Sequence, residues 1–140
     1  MRVNPISLKE IEFVTFRLAR QLMSQHEPIP DFDSRYPQKL ESCSAVPFQT
    51  FARKSLYPEL LDKAGILFYL MIKNHPFANG NKRIAMMTLF TFLYNNNLWI
   101  RVDTHELYEF AKWVAASNAT IKDEVVAAIK GFLQKHLVRL

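Results

Sequence analysis

The 140-residue sequence predicts an all-α fold, a compact helical bundle, and three observations predict it. Apolar residues recur at helical spacing through long segments, the breaks between segments fall on Pro and Asn clusters, and neither strand–helix–strand alternation nor an internal repeat interrupts them. Composition agrees. Hydrophobic residues are 49%, aromatics 13% and charged residues 22%, which excludes a disordered tail, a collagen-like repeat and a charged low-complexity segment. A chain of this size buries roughly 68–70% of its unfolded surface in one core, so a single domain over residues 1–140 is expected.

Ser7-Leu8-Lys9-Glu10 has the capping-box form, and Ile11, Val14, Leu18 and Leu22 follow at helical spacing, so a first helix is expected to about Gln25. From His26 to Pro37 the chain holds Pro28, Pro30 and Pro37 with Asp31, Asp33 and Ser34. That composition blocks a helix and marks a loop of the kind that carries function. Leu40 to Ala45 predicts a short helix ended by Pro47. Tyr57-Pro58 then opens a long helix, with Pro58 in its first turn, through Leu61, Ala64, Leu67, Phe68 and Met71 to about Lys73. His75-Pro76 stops it, because Pro disfavours the helical conformation in the residue before it. Another helix is expected from Asn81 to the Asn95-Asn96-Asn97 cap, with its apolar Ile84–Tyr94 stretch and Met86, Met87, Leu89, Phe90 and Phe92 as core. Thr104–Ser117 and Thr120–Leu137 complete the set, Thr120 reading as the N-cap of the last. A small hairpin is expected at Trp99–Val102 or in the Pro-rich loop. Gly65, inside the long helix that ends at about Lys73, implies close approach of a neighbour, which we expect to be the Asn81–Tyr94 helix.

Eighteen Lys and Arg against 13 Asp and Glu give a net charge of +5, compatible with nucleic acid, phosphorylated ligands or an acidic partner. No reading helix for nucleic acid is recognisable. The Ile84–Tyr94 run is about half the ~20 residues that span a bilayer, so no membrane association is expected. One cysteine, Cys43, and no apolar leader segment point to a reducing, cytoplasmic location. His26, His75, His105 and His136 are too dispersed for a local metal motif.

Chemistry concentrates in His75-Pro76-Phe77-Ala78-Asn79-Gly80-Asn81-Lys82-Arg83, a polar, cationic turn between two apolar helices. The free N–H groups and positive dipole end of the second helix make an anion site there. Gly80 lets an anion approach the backbone, and Lys82 and Arg83 add mobile positive charge. His75 is the side chain whose ordinary pKa lies near neutrality, and beside a bound phosphate a neutral imidazole takes the proton of an incoming hydroxyl. Phe77 reads as the anchor that pins the turn into the core. A His before Pro at a helix end also serves as a plain cap, and a Lys-Arg pair as solvated surface, so the residues alone leave both readings open.

The same string resembles the signature of the Fic/Doc family, and its death-on-curing (Doc) branch more than Fic proper. Leu40-Glu41-Ser42, Pro47-Phe48, Leu56-Tyr57-Pro58, Lys63-Ala64, Phe92-Leu93 and Asn95-Asn96 extend the likeness over about Asp31 to Leu98. The resemblance implies the Fic/Doc type of helical bundle and a toxin acting on a Ser, Thr or Tyr hydroxyl of a target protein, with ATP or another NTP as donor. His75 matches the general base, Gly80 and Asn81 the anion hole, and Lys82 and Arg83 the contacts to the other phosphates. The loop from Glu27 to Pro37 takes the place of the flap that holds the target. Lys82, where Fic proper has Gly, and Met86, where it has Arg, resemble the Doc branch and imply transfer of a phosphate; AMP transfer is the alternative.

Asn79 stands where the family usually carries the Asp or Glu that binds Mg²⁺, and a neutral amide lacks the charge that favours a hard cation. That leaves Asn79 a weak metal ligand and opens a third reading, a catalytically impaired nucleotide- or protein-binding module. Some relatives are silenced by an internal helix with Ser/Thr-x-x-x-Glu followed by Gly or Asn. Thr120–Glu124 has that spacing, but Val125 follows, so a separate antitoxin is the implied control. A translation factor, elongation factor Tu, is the target the Doc branch suggests.

Overall fold

The computed structural model describes residues 2–23 and 28–140, with the main chain only at residues 22 and 23. Ser7 begins the first helix through the expected capping box: the Glu10 N–H donates to Ser7 Oγ at 3.1 Å and the Ser7 N–H to Glu10 Oε1 at 3.0 Å. The helix is not uniform. α1 (Leu8–Glu10) passes into a π turn over Ile11–Thr15 and then α2 (Phe16–Met23). In the wide turn Phe16 N–H reaches back five residues to Ile11 O, which rotates everything after it. Ile11, Thr15, Phe16 and Ala19 therefore face the core, while Val14, expected inside, is 42% exposed. The expected extension to Gln25 falls on Ser24 and Gln25, outside the described residues, as does His26.

α3 (Pro37–Ala45) starts earlier than expected, on a Pro at its first position. α4 (Leu60–Lys73) starts later than expected: Pro58 lies outside it, and Glu59 caps it with Asp62 as reciprocal partner. α5 (Asn81–Tyr94) is buried from Arg83 to Leu93. Its two interior threonines, Thr88 and Thr91, satisfy their hydroxyls on the Ile84 and Met87 carbonyls at 2.7 and 2.8 Å. α4 packs against α5 on one side and α7 on the other, and α5 is enclosed by α2, α4 and α6. Asn97, at φ +62, ends the α5 cap as expected, while Asn95 and Asn96 tie the N-terminal segment down through Asn4 and Glu10.

α6 (Thr104–Ala116) matches expectation. α7 (Lys122–His136) follows a 3-10 turn over Ala119–Ile121, and Thr120 is not its N-cap: Asn118 Oδ1 accepts the Thr120 N–H at 2.9 Å. The last residues leave the helix as β4 (Leu137–Arg139), antiparallel to β3 (Leu98–Ile100), so the strand expected at Trp99 pairs with the chain's end rather than forming a hairpin. The hairpin is β1 (Thr50–Phe51) with β2 (Lys54–Ser55), outside the Pro-rich loop. Gly65 is also reassigned. A Cβ there meets Val126 O, Ile129 Cγ2 and Lys130 N at 3.7–3.9 Å, so the close neighbour is α7 and not α5. No helix among the described residues is long and apolar enough to cross a membrane.

Candidate functional site

Seven residues join α4 to α5, and the chain spends its polar groups fixing their shape. Asn74 closes α4 in a right-handed conformation, and His75 then turns to φ +48. Positive φ is uncommon for a residue with a side chain, though His tolerates it better than most, and such strain persists only where the surroundings impose it. Those surroundings are visible. Pro76 O accepts the Tyr36 N–H at 2.9 Å. Phe77 is 1% exposed, edge-on to Phe16 at 5.0 Å between ring centroids and tilted against Phe32 at 6.3 Å, so its ring is packed inside the core. The Asn81 side chain clamps the same residue from the other side: its Oδ1 accepts the Phe77 N–H at 3.0 Å and its Nδ2 donates to Phe77 O at 2.8 Å.

Gly80 caps α5 at φ +73, ψ 8, the left-handed region, and its carbonyl accepts the Ile84 N–H at 2.9 Å. The expectation that Gly80 leaves its backbone open to an anion is not met here: the Pro-rich segment lies against it instead. A Cβ on Gly80 would sit 3.3 Å from Ile29 Cδ1 and Pro28 O and 3.4 Å from Pro30 Cδ. Arg20 of α2 holds that segment, donating from Nη2 to Pro30 O at 3.1 Å and lying 3.7 Å from the Asp31 carboxylate. Phe32 adds an edge contact to Phe16 at 5.4 Å, and Arg35 lies over the Phe32 ring at 4.3 Å. The described part of the flap is thus strapped to α2 and to the motif turn. Glu27, its expected first residue, lies outside the described residues.

Between the turn and α6 opens a cleft of about 210 Å³, lined by Ile72, His75, Ala78, Asn79, Asn81, Lys82 and Ala115. His75 and Asn79 are exposed at its edge. The first turn of α5, whose main-chain N–H groups have no partners within the helix, borders it. The structure thus brings His75, Asn79, Asn81 and Lys82 together around one cavity and leaves Gly80 under the flap. Arg83 is a correction. It is 3% exposed, with its guanidinium 4.5 Å from the Tyr108 ring, so it is a buried cation and not mobile surface charge. Adjacent helix positions point about 100° apart, and here Lys82 faces the cleft while Arg83 faces α6. Met86 is fully buried. Glu124 is exposed in the first turn of α7, and neither it nor Thr120 lines the cleft.

Beneath the turn, the buried Cys43 thiol has its pKa pushed up to about 12 by burial, against the weaker opposing pull of Asn74, whose Nδ2 lies 3.9 Å from its sulfur. It is a packing group at ordinary pH. The walls supplied by Ala115, and the strap supplied by Arg20, carried no local sequence signal, because each depends on which helix docks where.

A family model described as the Fic/DOC family matches residues 12–93, more than half of the chain. The chain belongs to the Fic/DOC family. It is 30% identical over 95 residues to the protein named Toxin Doc of Mycolicibacterium smegmatis (strain ATCC 700084 / mc(2)155), a match covering 66% of this chain and 72% of that one. No solved structure matches. The Fic/DOC match includes most of the π turn, the Pro-rich loop, α4, the motif turn and nearly all of α5, and so every residue that lines the cleft except Ala115 of α6.

Proposed function

We propose that the chain is a Doc-type toxin that transfers the terminal phosphate of a nucleoside triphosphate to a hydroxyl of a target protein. The observation that carries this reading is the His75 imidazole, exposed and held at positive φ on the rim of a cleft it shares with Lys82 and the start of α5. In the step, the target oxygen bonds to the terminal phosphorus as its proton passes to the neutral imidazole, and the bond from that phosphorus to the departing nucleoside diphosphate breaks. Lys82 and the first-turn N–H groups of α5 receive the charge that develops on the phosphate oxygens. Lys82 at the cleft and Met86 in the core favour terminal-phosphate transfer over AMP transfer, because no second arginine is available at the latter position. Release of the flap from Gly80 would admit donor and target. The relative's name supports a separate antitoxin protein as the control.

Mg²⁺ does not fit the cleft as it stands. Among the described residues no Asp or Glu lines it, and no cluster of three or more His, Cys, Asp or Glu is placed to hold a metal. The neutral Asn79 amide is the only side chain on the rim in the family's acidic position. This favours a second reading, a chain that binds nucleotide but turns it over slowly or not at all.

Incubation with γ-labelled and α-labelled ATP and a cell lysate separates the readings, with His75→Ala and Asn79→Asp run beside the wild type. Label from the γ position alone, lost in His75→Ala, supports phosphate transfer, whereas label from the α position supports AMP transfer. Transfer seen only in Asn79→Asp supports the impaired module, and transfer undiminished in His75→Ala refutes His75 as the base.

A further inference from the structure

Lys73 is the last residue of α4, two positions before His75. Its ammonium reaches across to the end of α6, 42 and 44 positions away in sequence, and donates to Ala115 O at 3.2 Å and Ser117 O at 2.5 Å. Ala115 is a wall of the cleft. The last carbonyls of a helix have no partners within it and carry the negative end of its dipole, so a lysine there answers both needs. Among the described residues no carboxylate pairs with Lys73, so its charge is held by carbonyl dipoles and is not cancelled. Arg83, the cation that the motif offers next to Lys82, is turned into the interior.

We propose that Lys73 is a positioning residue of the cleft. By tying the end of α6 to the last turn of α4 it fixes the gap between Ala115 and the turn that carries His75, and it sets a positive charge paired with no carboxylate against the Ala115 wall of the cleft. This rests on the nucleotide reading of the cleft. A lysine that merely capped α6 would affect stability and nothing else.

ATP affinity by titration calorimetry and melting temperature are measured for wild type, Lys73→Met, Lys73→Arg and Lys63→Met. Lys63 is the matched control. It lies ten residues earlier on α4, about 15 Å along the helix, and also donates to carbonyls, those of Pro47 and Tyr57. Lys73→Met is expected to weaken ATP binding about fivefold or more, the size of one partly screened charge near the site. Lys73→Arg restores it to within about twofold, and Lys63→Met lowers the melting temperature without changing affinity. Should Lys73→Met fail to fold, Lys73→Gln, which keeps an N–H donor and removes the charge, carries the same expectation. Wild-type affinity in Lys73→Met or Lys73→Gln overturns the proposal, as does an equal loss in Lys63→Met. A folded wild type that binds no ATP overturns the nucleotide reading of the cleft and the proposal with it.

Discussion

Replacing Gly80 by alanine puts a Cβ where the backbone and the flap both resist it. At φ +73 an L residue sits in the left-handed region, which costs roughly 1–2 kcal/mol. The new methyl would also stand 3.3 Å from Ile29 Cδ1 and Pro28 O and 3.4 Å from Pro30 Cδ. Ile29 Cδ1 is the end of a flexible side chain and can rotate away. Pro28 O is main chain, in a segment that Arg20 fastens two residues later, so the flap must shift by a few tenths of an ångström or lift. That adds about 1 kcal/mol, the lower end of overpacking costs, while the stiffer unfolded chain returns about 0.4–1 kcal/mol. The net expectation is a loss of about 1–2 kcal/mol.

Urea denaturation reads this as a lower midpoint at unchanged slope, and hydrogen exchange reads it as faster exchange in residues 29–36. Two companions sort the causes. Gly80→Asn carries the same Cβ but tolerates positive φ, so its loss is smaller by roughly 0.5–1 kcal/mol. Gly65→Ala has the opposite sign, because its Cβ meets α7 at 3.7–3.9 Å, ordinary contact, and a helix-interior Gly gains roughly 0.5–1 kcal/mol on becoming Ala. A Gly80→Ala protein as stable as wild type, with unchanged flap exchange, would refute both the strain and the closed-flap geometry.

Asn81→Ala strands the buried Phe77 N–H and carbonyl together, and a loss of about 2–4 kcal/mol in thermal melts is expected, with weaker ATP binding because the turn loses its shape. Arg20→Ala changes global stability by no more than about 1 kcal/mol, since the side chain is half exposed, yet limited proteolysis within residues 28–36 accelerates. Burial alone would raise the pKa of Asp62; the Lys130 ammonium and the Glu59 N–H outweigh it and hold the carboxyl below its ordinary value. A depressed folded pKa contributes stability that is full above the unfolded value of about 3.9 and is lost as pH falls through the lower folded one. The urea midpoint of Asp62→Asn should therefore lie below wild type at neutral pH and converge with it in acid.

Much of this was legible because it is local. The Ser7 capping box, the Asn97 cap, the stop at His75-Pro76 and the burial of Phe77 each follow from a few neighbouring residues, and the Pro-rich flap from composition. What escaped depends on distant partners or on weak local preferences. Nothing in Ile11–Thr15 announces a π turn, and regular helical spacing puts Val14 on the wrong face. The β1–β2 hairpin turns at Ala52 and Arg53, at φ +52 and +66, without the Asn-Gly or Asp-Gly pair that marks such turns. Gly65 declared that some helix came close but could not say which, and the Lys82-Arg83 pair could not say which cation faces inward until α6 supplied Tyr108.

The cleft's geometry and its charge have separate origins, and that separation predicts how the chain can be altered. Position comes from apolar burial: Phe77 against Phe16 and Phe32, and α5 enclosed on every side, hold the turn in a conformation that His75 would not adopt alone. Charge comes from the half-buried Lys82 ammonium on the rim, beside which the exposed Asn79 amide is neutral. Substituting Asn79 by Asp should therefore leave the melting temperature within about a degree or two, as is usual for exposed sites, while adding the one negative charge the rim lacks for Mg²⁺. If the melting temperature holds and Mg²⁺-dependent ATP affinity rises, the turn is a prearranged phosphate seat short of one carboxylate. If Asn79→Asp instead destabilises the fold, position and charge are coupled there, and Asn79 is part of the turn's structure.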